Sequence, residues 1–213
     1  MRVINVEVWA DIRCPWCWIG LRRMQAAAAG TDEVQVHHRS FLLEPAGPMT
    51  AGVAMADVAV DKWGMTTAQW QAKSALIQST GAATGLQINI DTALTFDSMP
   101  VHRLVKLVTA RGDGDPAAAW EAAFDAHFRL NENLADRAVL RDLGASMGVD
   151  PAAVDVMLAG EDFVTDVHAD MDEARRVGVT SVPTVIATDG SRLEGSASVA
   201  DLRRFLAPEA ALR

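Results

Sequence analysis

With 213 residues, half of them hydrophobic, the chain can bury one large core or a domain carrying an insertion, and it is too apolar for wholesale disorder. A formal net charge of −9 with no Lys/Arg run argues against nucleic acid and anionic membrane surfaces as partners, since a polyanion meets a repulsive field. No stretch reaches the roughly 18 consecutive apolar residues of a membrane helix, and the alternating start Met1–Trp9 lacks a signal peptide's apolar run, so the expected compartment is the cytoplasm.

Val6, Val8 and Ala10 alternate with Glu7 and Trp9 and predict a first strand. Cys14-Pro15-Trp16-Cys17 follows at once. Ile19, Leu21, Met24 and the alanines from Ala26 to Ala29 predict a helix stopping at Gly30. Val34 and Val36, alternating with Gln35 and His37, predict a second strand to about Ser40. The opening is therefore β-α-β, with the cysteines at the start of its helix. Pro45, Gly47 and Pro48 mark a loop, and from there to about residue 177 the pattern is helical.

Within that block, Thr66 or Thr67 caps a helix carrying Trp70, Ile77 and Thr84, stopped by Gly85. Asp97 or Ser98 caps one with Val101, Leu104, Val105 and Val108 on one face. Asp115-Pro116 opens another, with Trp120, Phe124 and Phe128 four apart. Asp136 opens one with Val139, Leu140, Leu143 and Met147, stopped by Gly148. Phe163, Val167, Met171 and Ala174 mark a last long helix ended by Gly178. The β pattern returns at 182–187, turns at Asp189-Gly190 and comes back through Arg192-Leu193-Glu194. Ser198 and Asp201 have the spacing of a capping box for a final helix through Val199, Leu202 and Leu206. With the helical block set aside, this is the element order of a thioredoxin domain. The expected fold class is α/β: a thioredoxin-like fold with an inserted α-helical subdomain. Residues 1–44 and 161–213 form the discontinuous first domain and 45–160 the insertion.

The chain has only two cysteines, Cys14 and Cys17. A disulfide closing so short a loop would constrain the unfolded chain little, so chemistry explains the pair better than stability does. A free thiol has a pKa near 8.5, and the thiolate is the nucleophile. The unpaired N–H groups and positive dipole end of a helix N-terminus stabilise that thiolate. Cys14 falls at such an end, and Pro15 suits the first turn because it has no N–H to leave unpaired. Cys17, one turn on, can attack a mixed disulfide formed on Cys14. Two other readings are weaker. A zinc site needs two more ligands; no cysteine remains, and His37, His38, His102, His127 and His168 show no paired spacing, so no metal is expected. Two buried, inert thiols would not need a proline between them at a helix start. Pro183 by itself reads as an ordinary trans, strand-opening proline.

Asp11 is either a turn residue or a carboxylate acting on the thiols. His102 is either a cap and packing residue or a cleft residue. Trp16 is expected to face solvent and contact substrate, and Trp18 to pack on the insertion. Met55, Met65 and Met99 are core residues by default and groove-lining as the alternative.

Asp11-Ile12-Arg13-Cys14-Pro15-Trp16-Cys17-Trp18-Ile19-Gly20 resembles the active-site segment of DsbA-type oxidoreductases, in particular the FrnE-like branch. The likeness continues in Arg39-Ser40-Phe41-Leu42-Leu43-Glu44-Pro45, in His102-Arg103-Leu104 and in Gly178-Val179-Thr180-Ser181-Val182-Pro183, so it spans nearly the whole chain. The resemblance implies a redox pair at Cys14 and Cys17, and a cis Pro183 lying against them. It also implies that the backbone of Val182 pairs with an extended substrate segment, a form of strand addition. Asp97-Ser98-Met99-Pro100, Thr184-Val185 and Gly195-Ser196-Ala197 depart from the family pattern at the expected cleft wall. Trp16 stands where strongly oxidising CPHC pairs carry His, which predicts a less oxidising pair.

The leading functional reading is a thiol–disulfide oxidoreductase acting on protein or small-thiol substrates, with reductase or isomerase direction in a reducing compartment. It needs no cofactor beyond the Cys14–Cys17 disulfide, with glutathione as a candidate co-substrate, and an oligomer is compatible with it. A glutathione-dependent kappa-type transferase or isomerase is the first alternative; those enzymes typically keep Ser for the first cysteine and lack the second. A chaperone-like binder using an apolar cleft is the other.

Overall fold

The computed structural model describes residues 3–30, 34–112 and 114–207, so Met1 and Arg2 of the N-terminal reading lie outside it. Strand β1 (Ile4–Ala10) leads through helix α1 (Pro15–Ala28) to β2 (Val34–Ser40). Helices α2 (Met55–Asp61), α3 (Thr67–Ala82), α4 (Met99–Ala110), α5 (Pro116–Phe128), α6 (Arg137–Ser146), α7 (Pro151–Ala159) and α8 (Val164–Arg176) follow. The chain returns through β3 (Thr184–Ala187), β4 (Arg192–Glu194) and α9 (Val199–Phe205). β1 pairs parallel with β2 and antiparallel with β3, and β4 extends the sheet in the order β2-β1-β3-β4. This is the expected α/β, thioredoxin-like architecture.

The helix signals correspond to real caps. The Thr66 hydroxyl accepts from Gln69 N while Gln69 Oε1 accepts from Thr66 N, a reciprocal capping box. Asp115, Asp136 and Asp150 each accept from the backbone N–H two residues on. At α4 the capping acceptor is Asp97, whose Oδ1 takes the Met99 N–H at 3.0 Å. Ser198 accepts from Asp201 N at the start of α9. Gly148 and Gly178, read as stops, both have positive φ, where a side chain would be strained.

Three readings need correction. The sequence pattern assigns neither α2 nor α7: α2 has no side-chain cap, and α7 is a single short run beginning at Asp150-Pro151. Helix α3 ends at Ala82, short of Thr84. Strand β3 begins at Thr184 rather than Val182, since Pro183 has no N–H to give to a ladder and offers only its carbonyl, to Gly195 N at 2.8 Å.

One face of the sheet packs Val6, Val8 and Val185 against Met24 and Ala27 of α1 and Leu202 of α9. The other packs Trp9 against Ala174 of α8 and Val179. The largest cluster runs from Ala10, Ile12, Cys14, Cys17 and Trp18 directly into Trp70, Phe96, Leu104, Phe124 and Phe128 of the helical block. The first turn of α1 is thus built into the same core as the helices that follow β2. Trp18 stacks on Phe124 and Phe128 of α5 at centroid distances of 6.2 and 6.1 Å, contacts worth about 0.5–1.5 kcal/mol each beyond burial.

Candidate functional site

Cys14 occupies the N-cap of α1 with extended backbone (φ −101°, ψ 108°). Its N–H donates to the Asp11 carbonyl and its carbonyl accepts from Cys17 N, both at 3.0 Å, which fixes the tight turn from β1 into the helix. Pro15 follows in the first helical turn, where the missing N–H costs nothing. Both sulfurs are free thiols. The Cys14 residue is 7 % exposed and Cys17 only 2 %.

The Cys14 thiol donates to the Val182 carbonyl at 3.7 Å. The Val182–Pro183 peptide is cis. Gly20, one turn beyond Cys17, lets this loop approach: a Cβ there would lie 3.2 Å from Pro183 Cγ. The sequence-predicted set Cys14, Cys17, Val182 and Pro183 is therefore gathered at one end of α1. Trp16 is half-buried against the main core, so its indole is not fully presented to solvent.

Asp11 and His102 come together, but not on an open cleft wall: both are 0 % exposed. Asp11 Oδ1 accepts from Arg13 N at 3.1 Å and lies 3.3 Å from His102 Nε2, while Oδ2 accepts from Leu43 N at 2.8 Å. Burial alone would push the Asp11 carboxyl up; the hydrogen bond and charge of His102, with the Leu43 and Arg13 N–H groups, outweigh it and hold it below its usual value. The Cys17 thiol moves the other way. Burial pushes it well up and Cys14 adds to that through hydrogen bond and charge; a backbone hydrogen bond from Asp11 opposes them, and the Asp11 charge makes the smallest upward contribution. The pair is asymmetric: Cys14 sits at the N-cap position with its thiol on the Val182 carbonyl, and Cys17 is a protonated thiol sealed behind it.

The His102 ring stands edge-on to Trp120 at 5.2 Å. His127, also fully buried, packs on Phe128 at 4.2 Å and Phe96 at 4.9 Å, with no hydrogen-bond partner for either ring nitrogen among the described residues. Burial drives His127 down to about 3, with Asp11 opposing and Arg13 reinforcing that shift.

Several residues that shape the site carried no sequence assignment. Arg13, 8 % exposed, sends Nη2 to Glu44 at 2.5 Å. Glu121 of α5 accepts the Trp18 indole N–H at 2.9 Å and Arg22 Nε at 3.0 Å, fastening α1 to the helical block. Arg103, next to His102, donates to the carbonyls of Gly160 and Asp162 at 2.7 Å and to Met157, closing the end of α7. Of the three methionines weighed for a groove, Met55 lines one beside Arg13, Met65 packs on the main core and Met99 on the Leu42–Val167–Met171 cluster. Arg13 and Arg103 sat inside quoted motifs, so their positions were visible although their partners were not. Among the described residues no group of three or more His, Cys, Asp or Glu could hold a metal ion, and no helix is long and apolar enough to cross a membrane.

A family model described as a DSBA-like thioredoxin domain matches residues 5–207. The crystal structure of a probable DsbA oxidoreductase from Streptomyces coelicolor superposes with a TM-score of 0.89 at 28 % identity, covering 95 % of this chain and 88 % of that chain. A 2-hydroxychromene-2-carboxylate isomerase superposes with a TM-score of 0.70 at 15 % identity, covering 98 % of this chain and 94 % of that one. The cytosolic disulfide reductase DsbM from Pseudomonas aeruginosa, solved with GSH, superposes with a TM-score of 0.67 at 23 % identity, covering 98 % and 99 %. At these lower identities the likeness is one of fold. No curated protein sequence matches the chain.

Proposed function

The chain belongs to the DSBA-like thioredoxin domain family, and from that premise we propose that it is a thiol–disulfide oxidoreductase with Cys14 as nucleophile and Cys17 as resolving thiol. The observation that carries this reading is the Cys14 sulfur at the cap of α1, facing the Val182 carbonyl beside Pro183. A helix N-terminus favours anions in general, and Cys14 stands at the N-cap position of one.

The Cys14 thiolate attacks one sulfur of a substrate disulfide, forming a Cys14–substrate bond and expelling the other substrate sulfur as thiolate, which takes up a proton. Cys17 then loses its proton and attacks Cys14, forming the intramolecular disulfide and releasing the second substrate thiolate. The substrate gains two electrons and the protein loses two. Run in reverse, the same steps oxidise a substrate dithiol. Burial keeps Cys17 protonated and silent until the mixed disulfide forms. Pro15 and Trp16 shape the rim, and the backbone of Val182 pairs with an extended substrate segment.

The proposed substrates are proteins or small thiols carrying a disulfide. Glutathione is proposed as the reducing co-substrate, consistent with the GSH present in the DsbM structure. We read residues 1–44 and 161–213 as the domain that bears the thiols and 45–160 as the helical insertion that seals them. We place the protein in the cytoplasm, in keeping with DsbM being a cytosolic reductase. There the direction is reduction or isomerisation.

Turnover of insulin reduction and of dithiol oxidation tests the reading. Cys14→Ser is expected to abolish both. Cys17→Ser is expected to accumulate a mixed disulfide on incubation with glutathione disulfide, seen by mass. Full turnover in Cys14→Ser overturns the assignment, and glutathione conjugation surviving in Cys17→Ser turns it toward a transferase.

A further inference from the structure

A groove of about 470 Å³ is lined by Arg13, the residue before Cys14, with Leu43, Glu44, Met55, Lys62 and Trp63 among others. Three observations make it more than an apolar dent. First, it is a local exception in charge. The whole chain is −9, yet the groove lining carries two cations, Arg13 and Lys62, against the single carboxylate of Glu44. Second, Arg13 is over nine-tenths buried, and its guanidinium has one partner only: Nη2 pairs with Glu44, while Nε and Nη1 have none among the described residues. A guanidinium offers donors in a planar fork suited to bidentate binding of a carboxylate; here Nε and Nη1 are unpartnered but sealed, so a ligand would have to open the Glu44 contact to reach them. Third, the position adjoins the proposed nucleophile. Arg13 directly precedes the capping cysteine, and its N–H is held by Asp11, so its backbone cannot drift away from the sulfurs.

Glu44 is half-exposed, the sole ion-pair partner of Arg13 among the described residues, and sits in the loop that follows β2. It is a built-in carboxylate that a ligand's carboxylate can replace. The apolar wall beside it, Met55, Val58 and the half-exposed Trp63, would hold the chain that carries such a group.

We propose that this groove is a carboxylate subsite, in which Arg13 and Lys62 receive a carboxylate carried near the sulfur of the incoming substrate, displacing Glu44. This deepens the oxidoreductase reading and rests on it for the word substrate. Two sources share that chemistry: the free carboxylate of a small thiol acid, and an Asp or Glu side chain flanking a cysteine in a protein.

Binding without exchange separates the subsite from the redox chemistry. Two probes are titrated calorimetrically into the reduced full chain: S-methylglutathione, and a capped peptide with Glu beside S-methylcysteine, paired with its Gln counterpart. The wild type is expected to bind at least one carboxylate probe and to discriminate Glu from Gln if the peptide binds. Lys62→Met and Arg13→Met should weaken that binding about tenfold or more. Glu44→Gln should strengthen it, because the internal competitor is gone. Lys62 and Glu44 are both exposed enough that their variants keep the test alive if Arg13→Met fails to fold. Binding of S-methylglutathione alone assigns the small thiol acid; binding of the Glu peptide assigns an acidic protein segment. Equal affinity across wild type, Lys62→Met and Glu44→Gln, or no binding of either carboxylate probe at millimolar concentration, overturns the subsite. Loss of insulin reduction is read separately and bears on the oxidoreductase assignment, not on this one.

Discussion

Two buried aspartates lean on the same helix with different consequences. Asp11 meets His102 of α4, and Asp170 of α8 meets Lys106 one turn further along α4. Asp11 and its partner are wholly sealed, and the carboxylate acts electrostatically on Cys17. Asp170 instead gathers part-exposed cations, Lys106 and Arg39, at 3.1 Å for the latter, and its Oδ2 also accepts the Ser40 N–H at 2.8 Å. One carboxylate lies close enough to the dithiol for its charge to push the Cys17 thiol up; the other pins the edge strand β2 to α8 and α4. Residue type and burial alone do not separate them. What separates them is which titratable group lies within reach.

The largest expected effect falls on the structural member. Asp170→Ala leaves the Ser40 N–H and Lys106 without their acceptor, while Arg39 keeps Glu7. It should cost about 3 kcal/mol, the lower end for breaking a buried pair because the cations keep some water. Urea denaturation measures it. The exchange rate per folded molecule should stay at the wild-type value; a specific loss of exchange would erase the distinction.

Asp11→Asn comes next. Asn keeps one acceptor for the Arg13 or Leu43 N–H but loses the second and the charge facing His102, so about 1–3 kcal/mol should go. The sharper readout is the thiol. In a Cys14→Ser background, removing the Asp11 charge removes one of the forces that push Cys17 up, while the backbone hydrogen bond stays. The midpoint of iodoacetamide alkylation against pH should fall relative to the parent, and Asp170→Asn should leave it in place.

The sequence made the dithiol visible because everything it needs is local: a strand end, a proline in the first turn and a second cysteine three residues on. Caps such as Thr66 with Gln69 are legible for the same reason. The Asp11–His102 pair spans 91 positions, and no local pattern links its members. Asp170 looks like one more charge on an amphipathic helix until the fold brings Ser40 to it. Helix α7 escapes the sequence pattern although Asp150-Pro151 repeats the signal of Asp115-Pro116, because nine residues leave too little periodicity after the cap. Arg13 stood inside the motif, but the loop that makes its groove is ordered by long-range contacts, such as Gly52 N to the Thr95 carbonyl at 2.7 Å.

A smaller effect tests whether the cluster around Asp11 forms one electrostatic unit. The His127 ring takes a proton near 6.5 when unfolded but only near 3 when folded. Between those values the unfolded state binds more protons, so stability falls as pH drops from about 6.5 toward 3. Asp11 adds its own loss only below its ordinary value of 3.8. His127→Leu should change stability at pH 7 by under about 1 kcal/mol, since both ring nitrogens lack partners. It should flatten the acid slope above pH 4 in urea midpoints, leaving the share of His38, which is driven to about 4 by burial. An unchanged slope would remove His127 from the unit.

The smallest expected change in stability separates charge from geometry. Gly20 lies inside α1, where alanine would gain about 1 kcal/mol of helix propensity. Its Cβ, however, would stand 3.2 Å from Pro183 Cγ and 3.5 Å from Pro183 Cβ. The ring or the helix must give by a few tenths of an ångström, so the two terms should nearly cancel. The cost should appear instead in the rate. The Cys14 thiol already meets the Val182 carbonyl at a long 3.7 Å, and a displaced Pro183 loop would present substrate backbone off line. Gly20→Ala should slow exchange about threefold to tenfold, less than the hundredfold that a full ångström of misplacement can cost. It touches neither aspartate, so the alkylation midpoint of Cys17 and the acid slope should match the wild type. If Gly20→Ala moved that midpoint as far as Asp11→Asn does, packing rather than charge would be setting the second sulfur, and Asp11 would join Asp170 as a structural clamp.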